Sequence, residues 1–202
     1  MKKKILAACL VVCLLATAVI GTTLAYFTDT KTVTNTFTTG NVAITLDETK
    51  VGTDGKPVEG EGAGRFTTGN AYHLLPGHTY IKDPTIHVAA GSEDCYLFVE
   101  VNNTLKDLES KAADYKNIAD QMKANGWEVL TGNVYARNQK VTKNATQNQD
   151  FAVFGSFTID GALKEITNPD DIVIKAYAVQ AEGFTSAQAA WNATFGAPTA
   201  QP

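Results

Sequence analysis

The residues with the clearest potential for chemistry are histidines and acidic residues that lie within one short stretch of the chain. The set consists of His73, His78, His87, Asp83, Glu93 and Asp94. A catalytic zinc site needs three protein ligands and a general base, which are often supplied by His-Glu-x-x-His on one helix. The sequence contains no such motif. We therefore interpret the histidines as surface or partly satisfied side chains, and we predict no catalytic residue and no metal site.

Other routes to catalysis are also poorly supported. Cys95 begins an alternating segment, which is typical of a small buried side chain rather than a reactive thiolate. The glycine-rich residues 52–64 lack the Lys and the strand-to-helix context of a phosphate-binding loop. Acidic pairs at 93–94 and 170–171 do not follow the spacing of an EF-hand and indicate solvated loop charge. We expect no cofactor and no enzymatic activity.

The amino terminus has the order of a secretory signal. Lys2, Lys3 and Lys4 precede an uncharged, largely apolar run that ends at Ala25. A basic cluster, an apolar stretch and small residues before the cut define a signal peptide. We place cleavage between Ala25 and Tyr26, so that residues 1–25 are removed and residues 26–202 form one secreted domain. The alternative is a permanent membrane helix, but the run is borderline in length and polarity, and we expect no lasting membrane span.

The charge of the mature chain narrows the choice of partner. The full sequence has a formal charge of −4, and loss of the three signal lysines leaves 14 basic residues against 21 acidic ones. This negative balance argues against a nucleic-acid partner. Cys9 and Cys13 leave with the signal, and Cys95 alone cannot form an internal disulfide. Stability must therefore come from a hydrophobic core.

Most of the mature sequence alternates between apolar and polar residues, as half-buried strands do. The segments with this pattern are residues 26–37, 41–47, 80–90, 95–101, 127–130, 134–137, 151–160 and 171–181. We predict that 151–160 and 171–181 are central strands and that Gly132-Asn133 turns a hairpin. Leu75-Pro76-Gly77-His78 is typical of a turn before residue 80. Residues 50–64 are Gly-rich and charged, which favours a flexible loop or an exposed hairpin tip.

Two segments have helical features. Residues 104–125 place apolar side chains on one stripe, and Gly126 follows as a stop. Thr185 or Ser186 can cap a short final helix at about residues 186–195, in which Trp191 and Phe195 lie one turn apart. Several strands with few helices predict a mainly β fold, a two-sheet β-sandwich of the jelly-roll kind. The strand order does not follow from the sequence.

The opening of the mature chain resembles the TasA and camelysin family. The resemblance rests on Leu24-Ala25-Tyr26-Phe27-Thr28-Asp29 and on Asn35-Thr36-Phe37-Thr38-Thr39-Gly40-Asn41-Val42. Leu75-Pro76-Gly77-His78 is similar to the family's Leu-x-Pro-Gly-Asp, with His78 in place of the acidic residue. The resemblance implies a jelly-roll domain exported by Gram-positive bacteria and processed by a SipW-type signal peptidase. Members include biofilm-matrix fibre subunits, surface proteins and camelysin, which is named as a casein-cleaving metalloprotease.

The opening of the mature chain has the properties of a strand that joins subunits into a fibre. A sandwich that lacks one strand exposes unpaired backbone groups, and an extended segment from a neighbour can complete it. In the family's fibres the cut amino end plays this part, and here the candidate donor strand is residues 26–37, with Tyr26, Phe27, Val33 and Phe37 as its large side chains. The alternative is that the segment pairs within its own domain, and strand propensity does not decide between the two.

These features predict a secreted structural subunit or accessory of an extracellular fibre, biofilm matrix or cell surface. We expect it to assemble with itself or with related matrix proteins by β-strand exchange. The alternatives are a monomeric secreted surface or binding protein and, third, a camelysin-like metallopeptidase.

Overall fold

The structure is a computed structural model, and it describes residues 34–35, 41–166 and 171–196. The predicted signal peptide and its cleavage pair, Ala25 and Tyr26, lie outside these ranges. Within the described ranges, none of the helices is long and apolar enough to cross a membrane.

The described residues form a mainly β fold with two short helices. The strands are β1 (Thr34–Asn35), β2 (Ile44–Thr49), β3 (Arg65–Phe66), β4 (Thr79–Ile81), β5 (Thr85–Val88), β6 (Cys95–Asn103), β7 (Trp127–Thr131), β8 (Val134–Arg137), β9 (Gln149–Ala152), β10 (Ser156–Thr158) and β11 (Ile172–Gln180). The helices are α1 (Ile118–Ala124) and α2 (Ala187–Phe195).

The strands form two main sheets and one short ribbon. The larger sheet has the order β1-β11-β6-β8-β7, the smaller has the order β3-β2-β5-β9, and β10 pairs with β4. All pairs are antiparallel except β1 with β11, which is parallel. The longest pairing is between β6 and β11, over nine residues from Ile172↔Asn103 to Gln180↔Cys95. This pair therefore forms the centre of the larger sheet.

One hydrophobic core fills the space between the main sheets. Leu46 and Ile86 from the smaller sheet and Leu97, Val99 and Ala176 from the larger one are buried in the same cluster. Side chains of both sheets interdigitate in this way when two sheets pack face to face. The predicted β-sandwich is confirmed, whereas the more specific jelly-roll connection stays a prediction.

A second cluster lies beneath α2. Trp191 packs against Phe98 and Tyr177, with ring centroids 5.1 Å and 5.5 Å apart. The ring of Phe195 packs at a tilt against Trp191, with ring centroids 4.4 Å apart. The helix begins after Ser186, whose Oγ accepts a hydrogen bond from Ala189 N. The predicted helix at 186–195 and its cap are confirmed.

The first predicted helix is mostly wrong. Residues 104–125 were expected to be helical, but α1 begins only at Ile118. The preceding segment leaves the helical path because its backbone pairs with another part of the chain: Ser110 N donates to Thr158 O and Asp160 N donates to Leu108 O. Tertiary pairing thus overrides an apolar pattern with helical spacing.

Two predicted strands are divided in the structure. Residues 151–160 form β9, at the edge of the smaller sheet, and β10, in the ribbon, so the prediction of one central strand is wrong. Gln121 of α1 occupies the break, where its Oε1 accepts hydrogen bonds from Gly155 N and Ser156 N. Residues 80–90 divide into β4 and β5 around Pro84, which has no backbone donor. The central position of β11 beside β6 is confirmed.

The glycine-rich residues 50–64 connect β2 to β3 as a hairpin excursion. Val51 and Pro57 form a β-bridge. Lys50 N donates to Gly64 O and Val58 N donates to Lys50 O. These hydrogen bonds match the second of the two predicted possibilities for residues 50–64, an exposed hairpin tip rather than a flexible loop.

Candidate functional site

The outer edge of β11 is where the predicted donor segment meets the sheet. Thr34 and Asn35 of β1 pair in parallel with Lys175 and Ala176. Because β1 is the first strand in the sheet order, it occupies an edge position. The segment therefore adds to the sandwich from outside rather than through its middle.

On the side away from β1, side-chain contacts join β11 to β6. The carboxylate of Glu100 on β6 accepts a hydrogen bond from Tyr177 OH at 2.9 Å and lies 3.5 Å from Lys175 Nζ. Burial and the neighbouring carboxylate raise the pKa of Tyr177 to about 12. Tyr177 thus stays protonated and donates. The strand that receives β1 is accordingly fixed by backbone pairing and by its outward side chains.

Two residues of the predicted assembly segment, out of 26–37, belong to the described ranges. Ala25, Tyr26, Phe27, Val33 and Phe37 all lie outside the described residues. Thr34 and Asn35 are the described part of the 26–37 segment, and they pair with a strand of the same chain. At Thr34 and Asn35, therefore, the 26–37 segment serves as an edge strand of its own domain.

The three histidines have different surroundings. His78 lies in the turn before β4, with its ring 5.7 Å from that of Tyr80, and the carbonyl of His73 accepts a hydrogen bond from Tyr80 OH. His87 lies on β5 among carboxylates. In the part of the chain that the structure describes, no group of three or more His, Cys, Asp or Glu side chains is placed to hold a metal ion.

His87 is clamped between two acidic side chains. Its Nε2 lies 2.9 Å from Asp47 Oδ1, and its Nδ1 lies 2.7 Å from Asp150 Oδ1. Arg65 Nε also binds Asp47 Oδ1, at 2.6 Å. Burial alone would lower the pKa of His87, but the hydrogen bonds and charges of Asp47 and Asp150 outweigh it and raise that pKa. The cluster joins β2, β5 and β9 across the outer face of the smaller sheet.

Cys95 is fully buried at the start of β6. Burial, assisted by the charge of Asp94, raises the pKa of its thiol to about 12. A thiol in this state is a poor nucleophile at neutral pH. The interpretation of Cys95 as a small core residue is confirmed.

A buried polar cluster lies inside the sandwich, and no sequence motif marks it. It consists of Glu48, Asn70 and Lys82, which are only 1%, 3% and 2% exposed. Lys82 Nζ donates to Glu48 Oε2 at 2.8 Å. Asn70 N and Nδ2 donate to Glu48 Oε1 at 2.9 Å and 3.0 Å. One carboxylate therefore bridges an amine and a primary amide away from water.

Alternation along the strands contained the signal for this cluster. Val42, Ile44 and Leu46 fill the buried face of β2, and Glu48 is the next residue on that face. Lys82 likewise follows Tyr80 by two positions, and both are buried. A charged residue at a core position requires a partner, because an unpaired buried charge is very costly.

The acidic pair before β6 is neutralised by lysines. Lys140 Nζ lies 2.6 Å from Asp94 Oδ2, and Lys143 Nζ lies 2.6 Å from Glu93 Oε1. The hydrogen bond from Lys140 and that from the Lys143 backbone N–H lower the pKa of Asp94. These contacts agree with the interpretation of Glu93 and Asp94 as loop charges in contact with solvent.

Comparison with known families gives one match. The family model described as camelysin metallo-endopeptidase matches residues 1–55. This match covers the amino end, β1, β2 and the start of the hairpin that follows, and it supports a TasA/camelysin-like assignment. No curated protein and no solved structure matches the chain.

Proposed function

We propose, from the TasA/camelysin-like assignment, that this chain is a secreted structural subunit or accessory of an extracellular fibre, biofilm matrix or cell surface. It assembles by β-strand exchange after its signal peptide is removed. Its partners are a SipW-type signal peptidase during export and, afterwards, copies of itself or related matrix proteins. The proposal assigns it no enzymatic activity.

The pairing of Thr34–Asn35 with Lys175–Ala176 carries this proposal. A strand at a sheet edge pairs with the sheet along one side only, so the same edge of β11 can accept an equivalent segment from another chain. Strand addition of this kind is a recurrent way of joining proteins. The same segment of a neighbouring copy can occupy the same edge when its own chain does not.

Because β1 covers the edge of β11, the timing of signal-peptide cleavage can control when that edge pairs. An exposed edge next to an apolar face promotes unspecific pairing, and proteins protect such edges. If the segment is tethered to the signal peptide before cleavage, it reaches a neighbour only after the cut. Cleavage between Ala25 and Tyr26 then sets the time of assembly.

The first test compares two purified proteins by negative-stain electron microscopy over a range of concentrations. One begins at Tyr26, and the other lacks residues 26–37. We expect filaments from the first and none from the second. Monodisperse particles from both would overturn the fibre proposal, and filaments from the shortened chain would overturn the role of the segment.

A disulfide experiment distinguishes exchange from pairing within one chain. Thr34→Cys combined with Lys175→Cys places thiols at directly paired positions, which neighbouring strands bring within disulfide reach. Oxidation of monomers should lock the chain and block filaments, whereas oxidation of preformed filaments should give a ladder of covalent oligomers. Thr34→Cys alone is the control and should give neither. A ladder that is absent from oxidised filaments would contradict strand exchange.

Two further measurements test export and the peptidase alternative. Amino-terminal sequencing of protein from the culture medium should begin at Tyr26, and retention of residues 1–25 on the cell membrane would contradict cleavage.

The description of the matched family favours a metallo-endopeptidase as the second candidate function. Casein cleavage that is abolished by a chelator and restored by zinc would support that candidate over the structural one.

A further inference from the structure

The buried cluster brings the two groups needed for a covalent cross-link, an amine and a primary amide, to the same carboxylate. We propose that Lys82 Nζ and Asn70 Cγ are joined by an isopeptide bond, formed by the folded chain itself with Glu48 as the proton carrier. This inference does not depend on strand exchange, because it concerns side chains within one domain.

The first supporting observation is the position of Glu48. Its Oε2 faces Lys82 Nζ at 2.8 Å, and its Oε1 faces Asn70 Nδ2 at 3.0 Å. Nζ is the nitrogen that would attack, and Nδ2 is the nitrogen that would leave. The carboxylate thus contacts both nitrogens between which a proton has to move, which is the arrangement required of a general acid and base.

The second observation is the orientation of the Asn70 amide. Its Nδ2 donates to Glu48 Oε1 and to Thr49 O at 2.8 Å, whereas its Oδ1 accepts from Val51 N at 2.9 Å. Two acceptors on one side and a donor on the other fix the amide without ambiguity. The Val51 N–H also stabilises the negative charge that develops on Oδ1 when Cγ is attacked.

The third observation is the environment of Lys82. An ammonium group has three protons to donate, and among the described residues Glu48 Oε2 is the hydrogen-bond acceptor on Nζ. The ring of Tyr72 lies 5.9 Å from Nζ and packs edge-on against Tyr80 and Phe157. Transfer of one proton from Nζ to the Glu48 carboxylate, over the 2.8 Å contact, produces the neutral amine. The neutral amine is also the nucleophilic form.

The reaction balances without an external reagent. A proton passes from Nζ to Glu48, and the lone pair of Nζ forms a bond to Cγ while the carbonyl electrons move to Oδ1. Glu48 then gives its proton to Nδ2 and takes the second proton from Nζ. Collapse of the intermediate restores the carbonyl, breaks the bond from Cγ to Nδ2 and releases ammonia, which takes up the proton left on Glu48. The products are a secondary amide and ammonium, and no oxidant is consumed.

Such a bond would close the chain around the turn before β4. It would join Asn70, which follows β3, to Lys82, which follows β4, and so enclose Leu75-Pro76-Gly77-His78. A covalent link restricts the unfolded chain and thereby stabilises the folded one. Resistance to heat and proteolysis is useful for a protein outside the cell.

Intact-mass spectrometry of the folded, purified chain tests the proposal directly. We expect a mass that is lower by one ammonia than the sequence mass, and a digest that yields the Asn70 and Lys82 peptides as one branched product. Lys82→Met and Glu48→Gln should each restore the full mass calculated for the variant and lower the melting temperature. Lys140→Met, at a surface ion pair, is the matched control and should keep the loss of ammonia.

The existence of the isopeptide bond and the role of Glu48 in forming it are tested by different outcomes. A folded parent chain with the full sequence mass and separate, unmodified Asn70 and Lys82 peptides would overturn the proposal, and this result needs no variant to fold. A Glu48→Gln chain that still loses ammonia would overturn the role of Glu48. Since the mass is measured on monomers and filaments alike, failure of assembly and failure of bond formation are distinguishable.

Discussion

His87 lies between the carboxylates of Asp47 and Asp150, with 2.9 Å from Nε2 to Asp47 and 2.7 Å from Nδ1 to Asp150. Each ring nitrogen therefore faces an acceptor, and the imidazolium, which donates from both, suits this position better than the neutral ring does. The three residues belong to β5, β2 and β9, so protonation of one side chain affects three adjacent strands.

We expect His87 to make stability depend on pH in a defined direction. Its folded-state pKa is raised above the ordinary value, so its contribution is fully present below about pH 6.5 and is lost as the pH rises through the folded-state pKa. Urea unfolding at several pH values should show the largest difference between the parent and His87→Gln at mildly acidic pH. The difference should shrink towards alkaline pH.

Asp150→Asn provides the matched control for this prediction. It retains the histidine but removes one charged acceptor, so the His87 pKa measured by NMR should fall relative to the parent. A pKa of His87 at or below its ordinary value in the parent chain would contradict the clamped arrangement.

Gly55 should tolerate no side chain. Its φ is +74°, and a Cβ atom there would lie 2.6 Å from Tyr80 Cδ1 and 2.8 Å from Tyr80 Cα. Backbone strain and overpacking together predict a loss of about 2 to 4 kcal/mol for Gly55→Ala. The measurement is the free energy of unfolding in denaturant.

Gly60→Ala isolates the steric part of this effect. Gly60 has a φ of +70°, but a Cβ atom would meet nothing within 4 Å. We expect a loss of only about 1 kcal/mol from the backbone strain. Equal losses at the two glycines would show that the contact with Tyr80 is not tight.

Cys95 should be chemically silent in the native protein. Its thiol is buried and has a pKa of about 12, so a disulfide reagent at about pH 8 should react only through unfolding and at once in denaturant. Gln139→Cys places a thiol at an exposed site and should react immediately. Rapid labelling of Cys95 in the native parent would contradict its core position.

The cap of α2 should contribute a small and separable part of the stability. Ser186 Oγ accepts from Ala189 N at 3.1 Å, and Ser186→Ala should cost about 1 kcal/mol. Ser186→Asp keeps an acceptor at the same position and should retain most of the stability. If both variants were equally unstable, the loss would not come from the cap.

The sequence predicted the parts of the fold that depend on local alternation. Val42, Ile44 and Leu46 show the buried face of β2, and the apolar residues of β6 and β11 identify the two longest strands. The final helix was predictable because its cap and its aromatic pair lie within ten residues of one another.

The errors arise where distant parts of the chain determine local structure. Glu109 forms a bridge with Ile159, and its buried carboxylate accepts hydrogen bonds from Tyr115 OH and Ile118 N. Together with Asn117, whose side chain caps α1 by accepting a hydrogen bond from Asp120 N, this contact sets the start of α1, and the local pattern does not reveal the pairing with Ile159. Alternation places Glu48 and Lys82 at core positions, but it does not reveal their pairing, because the partners of Glu48 lie 22 and 34 positions away along the chain.

The pairing of Thr34 with Lys175 joins residues that are synthesised at different times. The two residues are about 140 positions apart, so at a synthesis rate of about 5–20 residues per second the first leaves the ribosome roughly 7 to 28 s before the second. During that interval the amino segment has no intramolecular edge to occupy. Under the proposed strand exchange, the segment released by cleavage pairs either with its own β11 or with that of a neighbour, and a higher local protein concentration favours the neighbour.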